Sequence, residues 1–346
     1  MEIDLATFLT TLYCVIDEIY QAHFAARKPI RPGHQPEVSD SEVLTLLFVA
    51  QHAHDWSERD FLGHVRGNWR SYFPRVLSQG AFNRRVRDLA LVAGCIGPLA
   101  ARQILPILAA GDYEILDGLP VPLMRRCRGE KHRLFADEAG IGRGGSDKEW
   151  YYGVKLVSSV SAEGIITGFV VSPAPTEERW AVEALLRWRT DPTAPPPTAA
   201  DLAAVLGPAH RHHGQRQGPT GPISGRAWAG TSHPSDYLAD SGERGAAWQA
   251  HWERDDGARV VTPDVWAAPW DTDRREASQR TFKSTRQVIE TVHNSLEGLF
   301  GIKFPRARTY LGLLARIAAK VAMHDLLVCL NHLFGRPTFA HYNPFV

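Results

Sequence analysis

The chain has 346 residues, 44% hydrophobic and 22% charged. That composition excludes a disordered or low-complexity chain and leaves room for about two globular domains. A net charge of +1 excludes a uniformly basic nucleic-acid binder, but the charge is unevenly spread. Between Arg66 and Arg87 lie Arg66, Arg70, Arg75, Arg84, Arg85 and Arg87 with no acid. Between Gly298 and His324 lie Lys303, Arg306, Arg308, Arg316 and Lys320, again with no acid. Such stretches are either solvated helix faces or a surface for a polyanion. Cys14, Cys95, Cys127 and Cys329 are scattered and read as reduced thiols rather than a disulfide frame or zinc site. The start Met1-Glu2-Ile3-Asp4 is acidic where a signal peptide is basic. The apolar run 311–330 carries Arg316, Lys320 and Asp325, which makes it a poor membrane span. The expectation is a cytoplasmic protein with no membrane partner.

Taken in order, residues 4–27 place Phe8, Leu12, Val15, Ile16 and Ile19 at helical spacing. Pro29, Pro32, Gly33 and Pro36 then predict a loop. Ser39 and Glu42 have capping-box spacing ahead of an apolar run, and Ser57 and Ser78 look like two further helix caps. In the helix after Ser78, Phe82, Val86 and Leu89 face a core and Asn83, Arg84 and Arg87 face outward. This short helix resembles the second helix of a helix-turn-helix, so Asn83, Arg84, Arg85 and Arg87 are candidate DNA contacts. Residues 89–110 continue as helix with breaks expected at Gly94, Gly97 and Pro98.

The pattern then changes. Residues 113–116 predict a strand that delivers Asp117, followed by Gly118 and a turn closed by Pro120. Asp112 and Glu114 are expected to face solvent. Arg125, Arg126, Arg128, Lys131 and Arg133 follow closely, as phosphate contacts or as plain solvated charges. Asp137, Glu138 and Asp147 read as loop acids. Residues 150–160 and 165–171, joined by Ala162-Glu163-Gly164, predict a hairpin. A helix follows from Thr176-Glu177-Glu178-Arg179. Residues 191–235 are rich in Pro and Gly and predict an irregular insertion, with one short helix at 199–205 and a solvated cluster His210-Arg211-His212-His213. Residues 236–240 repeat the form of the first strand and end on Asp240. A helix with Trp248 and Trp252 and a fifth strand at 258–263 come next. A helical stretch from 274 to 300 stacks Arg286 and Glu290 at i, i+4, and an apolar helix spans 309–333. Trp150, Trp228 and Trp248 are core residues or platforms for unpaired bases.

Two strand-end acids and one helix acid can hold two Mg²⁺ ions, which take hard oxygen ligands. Two such ions serve in-line phosphodiester displacement. The segments Ile115-Leu116-Asp117-Gly118, Leu238-Ala239-Asp240-Ser241-Gly242 and Arg286-x-x-x-Glu290 together resemble the three motifs of bacterial insertion-sequence transposases of the DDE class. Residues 132–137, 150–156 and 304–308 also resemble that family. The resemblance implies an α/β, RNase H-like mixed five-stranded sheet flanked by helices over 111–335. It also implies an all-helical DNA-binding domain at 1–110 and a tail at 336–346. Asp117, Asp240 and Glu290 are then the catalytic residues and ligands of two Mg²⁺, with Mn²⁺ as a substitute. Arg286 and Lys283 would orient an acid or a phosphate, and Lys303, Arg306 and Arg308 would bind DNA. The implied activity is cleavage of double-stranded DNA at terminal inverted repeats and joining to target DNA by a nucleoid-associated homodimer. The chain departs from the family pattern at Lys283, Glu243 and Glu297. A catalytically inactive DNA-binding derivative, a nuclease without strand transfer and, least favoured by the basic surface and helical front domain, a small-molecule phosphoesterase are the alternatives.

Overall fold

The structure, a computed structural model, describes residues 3–27, 36–104, 106, 112–131, 134–144, 149–195, 224–228, 233–240, 242, 245–263 and 285–345. The chain divides into two compact units, Met1–Ile104 with Ser295–Val346, and Leu105–Asn294. This division differs from the expected boundaries at 110 and 335. The C-terminal segment belongs with the N-terminal helices because its long apolar helix finds its partners there.

In the helical unit, α1 (Leu5–His23), α2 (Asp40–Val49), α3 (Glu58–Asn68) and α4 (Gln79–Asp88) start on Asp4, Ser39, Ser57 and Ser78. Each cap side chain accepts an amide of the first turn, and Ser39 with Glu42 completes a capping box. A cap of this kind contributes about 1 kcal/mol. The expected breaks at Gly94, Gly97 and Pro98 do not occur: α5 (Ala90–Ile104) runs through all three. Gly97 serves packing instead. A Cβ there would stand 2.7 Å from the Ala322 Cα, so only a hydrogen admits the close approach of the C-terminal helix Tyr310–Leu333. Residues 336–345, in the stretch expected as a C-terminal tail, pack within this unit. Phe345 enters an aromatic cluster with Trp56, Phe61, His64 and Trp69, stacked 5.4 Å from Trp69 at 18°.

The second unit is mixed α/β. It holds a mixed, open, seven-stranded sheet of β1 (Tyr113–Arg125), β2 (Gly140–Gly144), β3 (Glu149–Ser161), β4 (Ile166–Pro173), β5 (Ser224–Trp228), β6 (Asp236–Leu238) and β7 (Val260–Val261). The order is β5-β4-β3-β1-β6-β7, with β2 also on β3. β1, β3, β4 and β5 pair antiparallel, whereas β6 and β7 add in parallel on the far side of β1. The predicted hairpin is β3–β4, and Gly164 takes its turn with φ of 84°. The first strand is longer than expected. It does not stop at Asp117 but continues through Pro120 and Pro122 to Arg125, paired with β3 as far as Tyr151. The two prolines share parity, so the amide hydrogens they lack belong to one side. Pairing of β1 with β6 ends at Ile115, which leaves that edge of the strand open.

Alternation along β1 sorts its residues between two faces. Leu116 joins an apolar cluster with Val157, Val170, Trp180, Leu185, Trp188, Tyr237 and Trp252. This cluster seats α7 (Glu178–Thr190) on the even-numbered face. At one end of the contact Glu114 meets Arg189, and at the other Gly118 meets Glu178. Glu114 is therefore buried rather than solvated. It accepts from Arg189 at 2.6 and 2.8 Å, from Thr167 at 2.6 Å, and from Ser159. Asp112 is exposed as expected and accepts the Ser235 amide at 3.0 Å. Beyond β6, α8 (Ala246–His251) runs into a π-helical turn at Trp252–Asp256, closed by Gly257 at φ 69°. Residues 285–294 are helical. No helix among the described residues is long and apolar enough to cross a membrane.

Candidate active site

The parallel pairs Tyr113–Asp236, Glu114–Tyr237 and Ile115–Leu238 set the geometry. Continued by two residues, the same register puts Asp117 level with Asp240. Parallel strands share a direction, so both acids emerge at one end of the pairing, where β6 has stopped. Asp117 accepts the Gly118 amide at 2.8 Å and Asp240 accepts the Gly242 amide. The helix over 285–294 brings Arg286 to both, 3.6 Å from an Oδ2 of Asp117 and 3.6 Å from an Oδ2 of Asp240. Glu290, one turn on, is exposed, and its charge acts on Asp117.

Burial pushes the Asp117 carboxyl up to about 6. Arg286 and the Gly118 amide oppose that rise, and the charges of Asp240 and Glu290 add to it. A buried carboxylate beside like charges lacks a full complement of positive charge. The donors are oxygens with no sulfur, the ligand type a hard divalent cation takes, but Asp117, Asp240 and Glu290 do not bring their ligand atoms within 4.8 Å of one another.

Three neighbours escaped the sequence reading. Glu178 opens α7 and lies against Gly118. Its carboxyl is also raised, first by burial, while Lys155 opposes that and Asp117 and Asp240 reinforce it. Lys155 stands 4.0 Å from Glu178 and donates to the Thr176 carbonyl at 3.3 Å. It is placed by its pairing with Pro120 across β1 and β3. His293 is buried with Nδ1 4.0 Å from Asp117. The spacing Arg286-x-x-x-Glu290-x-x-His293 puts all three on one helical face and was the available signal. Glu178 gave no such signal, because its place depends on how α7 crosses β1.

Gly118 has a specific role here. A Cβ at this position would stand 1.8 Å from Glu178 Oε1 and 3.2 Å from the Lys155 Cδ. Gly118→Ala is expected to leave the fold intact but turn the Glu178 carboxylate out of the cluster. If the cluster serves a metal-dependent reaction, its rate should fall by about 10–100-fold, the usual cost of disturbing a supporting ligand shell. In a double-mutant cycle with Glu178→Gln the second change should add little. Fully additive losses would show that the glycine acts elsewhere.

The remaining candidates are dispersed. In the helical unit, Asn83 donates to Glu58, and Arg85 pairs with Asp40 and donates to the Val38 carbonyl at 3.3 Å. Asn83 was expected to face outward, but both side chains serve helix packing. Arg84 is exposed and Arg87 half-buried. Lys303 pairs with Glu297 at 2.6 Å, which neutralises the acid at that departure from the family pattern. Arg306 and Arg308 are exposed, in a loop where Phe304 and Arg306 both hold φ at 55°. In the sheet unit, Arg125 is exposed, and Arg126 pairs with Glu130 at 2.8 Å and lies 5.2 Å over the half-exposed Trp150 ring. Trp248 is core, packed against Trp180 and Trp252. Lys283, Arg133, Asp147, Glu243, the helix expected at 199–205 and the histidines at 210–213 lie outside the described residues, as does the Trp228 side chain. The chain matches no protein-family model, no curated protein and no solved structure.

Proposed function

We propose that the chain is a DNA transposase of the DDE class, with an RNase H-like catalytic unit and a helical DNA-binding unit. One observation carries the reading: parallel β1 and β6 set Asp117 and Asp240 in a common register under the helix bearing Arg286, Glu290 and His293. The sheet has seven strands rather than the expected five; with β2 and β5 set aside, the order runs β1, β3 and β4 antiparallel, α7, parallel β6, α8 and parallel β7, which supports the resemblance. Asp117, Asp240 and Glu290 would hold Mg²⁺, with Glu178 beside them. The ions, when bound, would supply charge stabilisation to the attacking and leaving oxygens of a phosphodiester.

The chain's own groups have separable tasks. Asp117 supplies a half-buried carboxylate on a strand paired with β3, and it accepts the Gly118 amide. Arg286 spans Asp117 and Asp240 and offers a planar guanidinium to a phosphate oxygen. Lys155 balances Glu178. Arg126 on Trp150 presents an exposed cationic and aromatic surface suited to a nucleic-acid strand. Arg84, Arg306 and Arg308 are among the exposed cations of the helical unit and would offer contacts to phosphates. Pairing of two DNA ends would require a dimer.

The test uses duplexes carrying candidate terminal inverted repeats, taken from DNA flanking the reading frame, in Mg²⁺. End cleavage followed by joining is the expected result. Cleavage without joining would reassign the protein as a nuclease. Specific binding without cleavage would favour an inactive derivative, a reading to which Arg286 lends weight because it already pairs with two of the acids. Neither binding nor cleavage would overturn the proposal.

A further inference from the structure

A second cluster of metal-ligating side chains lies in the sheet unit among α7, α8 and the π-helical turn. Glu183, His251 and Asp256 each direct one ligand atom to a common point, all within 4.8 Å of one another, and all three residues are buried. The sequence places Glu183 on α7, and His251 and Asp256 five residues apart. In a regular α-helix such a pair would point about 140° apart, at ~100° per residue. The turn at Trp252–Asp256 is π-helical instead, and its i to i+5 repeat brings Asp256 onto the face of His251. Single π turns inside α-helices concentrate at functional sites.

The cluster is arranged as ligands are. The His251 Nε2 faces Glu183 Oε2 at 3.0 Å, while Nδ1 is held by Asp255 at 2.7 Å. A carboxylate behind the imidazole is the usual support of a metal-bound histidine. Arg254 in turn holds Asp255 at 2.6 Å. Glu183 is oriented by Trp252 Nε1 and Arg187, both at 2.8 Å. A network that existed only for packing would satisfy every member. Here the Asp256 Oδ2 is buried and accepts no hydrogen bond among the described residues, although Asp256 is only 9% exposed.

We propose that Glu183, His251 and Asp256 form a second metal site, distinct from the Asp117–Asp240 cluster, for a divalent transition ion of the zinc type. One nitrogen and two carboxylate oxygens suit Zn²⁺, whereas Mg²⁺ seeks oxygen alone. The ion would staple α7 to the π-helical turn. Because α7 also carries Glu178, the staple would steady that residue beside Asp117.

The full chain carrying Asp117→Asn and Asp240→Asn removes the other cluster from the measurement. Stripped of metal and titrated with Zn²⁺ against a chromophoric chelator, it is expected to bind one equivalent. Adding the near-isosteric Asp256→Asn should weaken binding by at least about 100-fold, since a first ligand matters no less than its supports. His251→Gln should do the same, with folding checked by circular dichroism. X-ray absorption of the zinc form should show nitrogen and oxygen neighbours and no sulfur. No zinc retained against the chelator would overturn the proposal. So would zinc binding that neither substitution changes.

Discussion

Asp117→Asn is expected to abolish Mg²⁺-dependent DNA cleavage and, in the same protein, to raise stability above pH 6. On the proposed function, loss of a carboxylate that would hold the cations removes several kcal/mol of charge stabilisation, so the rate should fall by about 10³-fold or more. The stability gain has the opposite origin. In the folded chain without metal, burial lifts the Asp117 carboxyl from 3.8 to about 6. Between those values the native state binds more protons than the unfolded state, so stability falls as pH rises through that window. Above about pH 6 the full penalty applies, roughly 2–3 kcal/mol at 1.36 kcal/mol per pH unit. Asparagine does not ionise and escapes it. Denaturant midpoints at about pH 4 and about pH 7.5, at the bottom of the window and above it, should show the variant's advantage only at the higher value. Mg²⁺ should shrink that advantage by stabilising the wild type alone. A variant less stable than wild type at both values would mean that the carboxylate is a structural anchor.

Glu114→Ala is expected to cost about 3–5 kcal/mol of stability, the range for breaking a buried ion pair from one side. The Arg189 guanidinium would be left buried without its bidentate partner, and Thr167 and Ser159 would lose an acceptor. Glu114 lies next but two to Asp117 on the same strand, yet the loss should appear in the denaturation midpoint rather than in specific DNA affinity. Arg189→Met alone should also destabilise. The double variant should be less damaged than the sum, with a coupling of at least about 2 kcal/mol. Additive losses would show that the two side chains do not stabilise one another.

Much of the fold is legible in local sequence. Three serines before apolar runs mark the helix starts correctly because a cap is satisfied within its own first turn. The hairpin of β3 and β4 and the matching forms around Asp117 and Asp240 are likewise short-range signals. The length of β1 was hidden because prolines argue against a strand interior, and nothing local shows that the strand's edge is open beyond Ile115. Glu114 was misjudged because alternation along a strand says which residues share a face, not which face is covered. The C-terminal helix was assigned to the wrong unit for a similar reason: its partner, at Gly97, is more than two hundred positions away in sequence. In the candidate site, the acids on strand and helix were accessible from order and spacing. Glu178 and Lys155 were not, since a helix crossing and a strand register bring them in.

The unequal lengths of β1 and β6 give the acidic pair one stationary jaw and one moving jaw. Asp117 sits within a ladder that continues on β3 to Tyr151, so displacing it means opening that ladder. Asp240 lies past the last residue of β6 and one residue beyond Ala239, whose amide donates to the Val261 carbonyl at 2.9 Å. Any widening or narrowing of the cleft as charge enters or leaves is therefore accommodated on the Asp240 side, with Asp117 as the fixed point from which reach is measured.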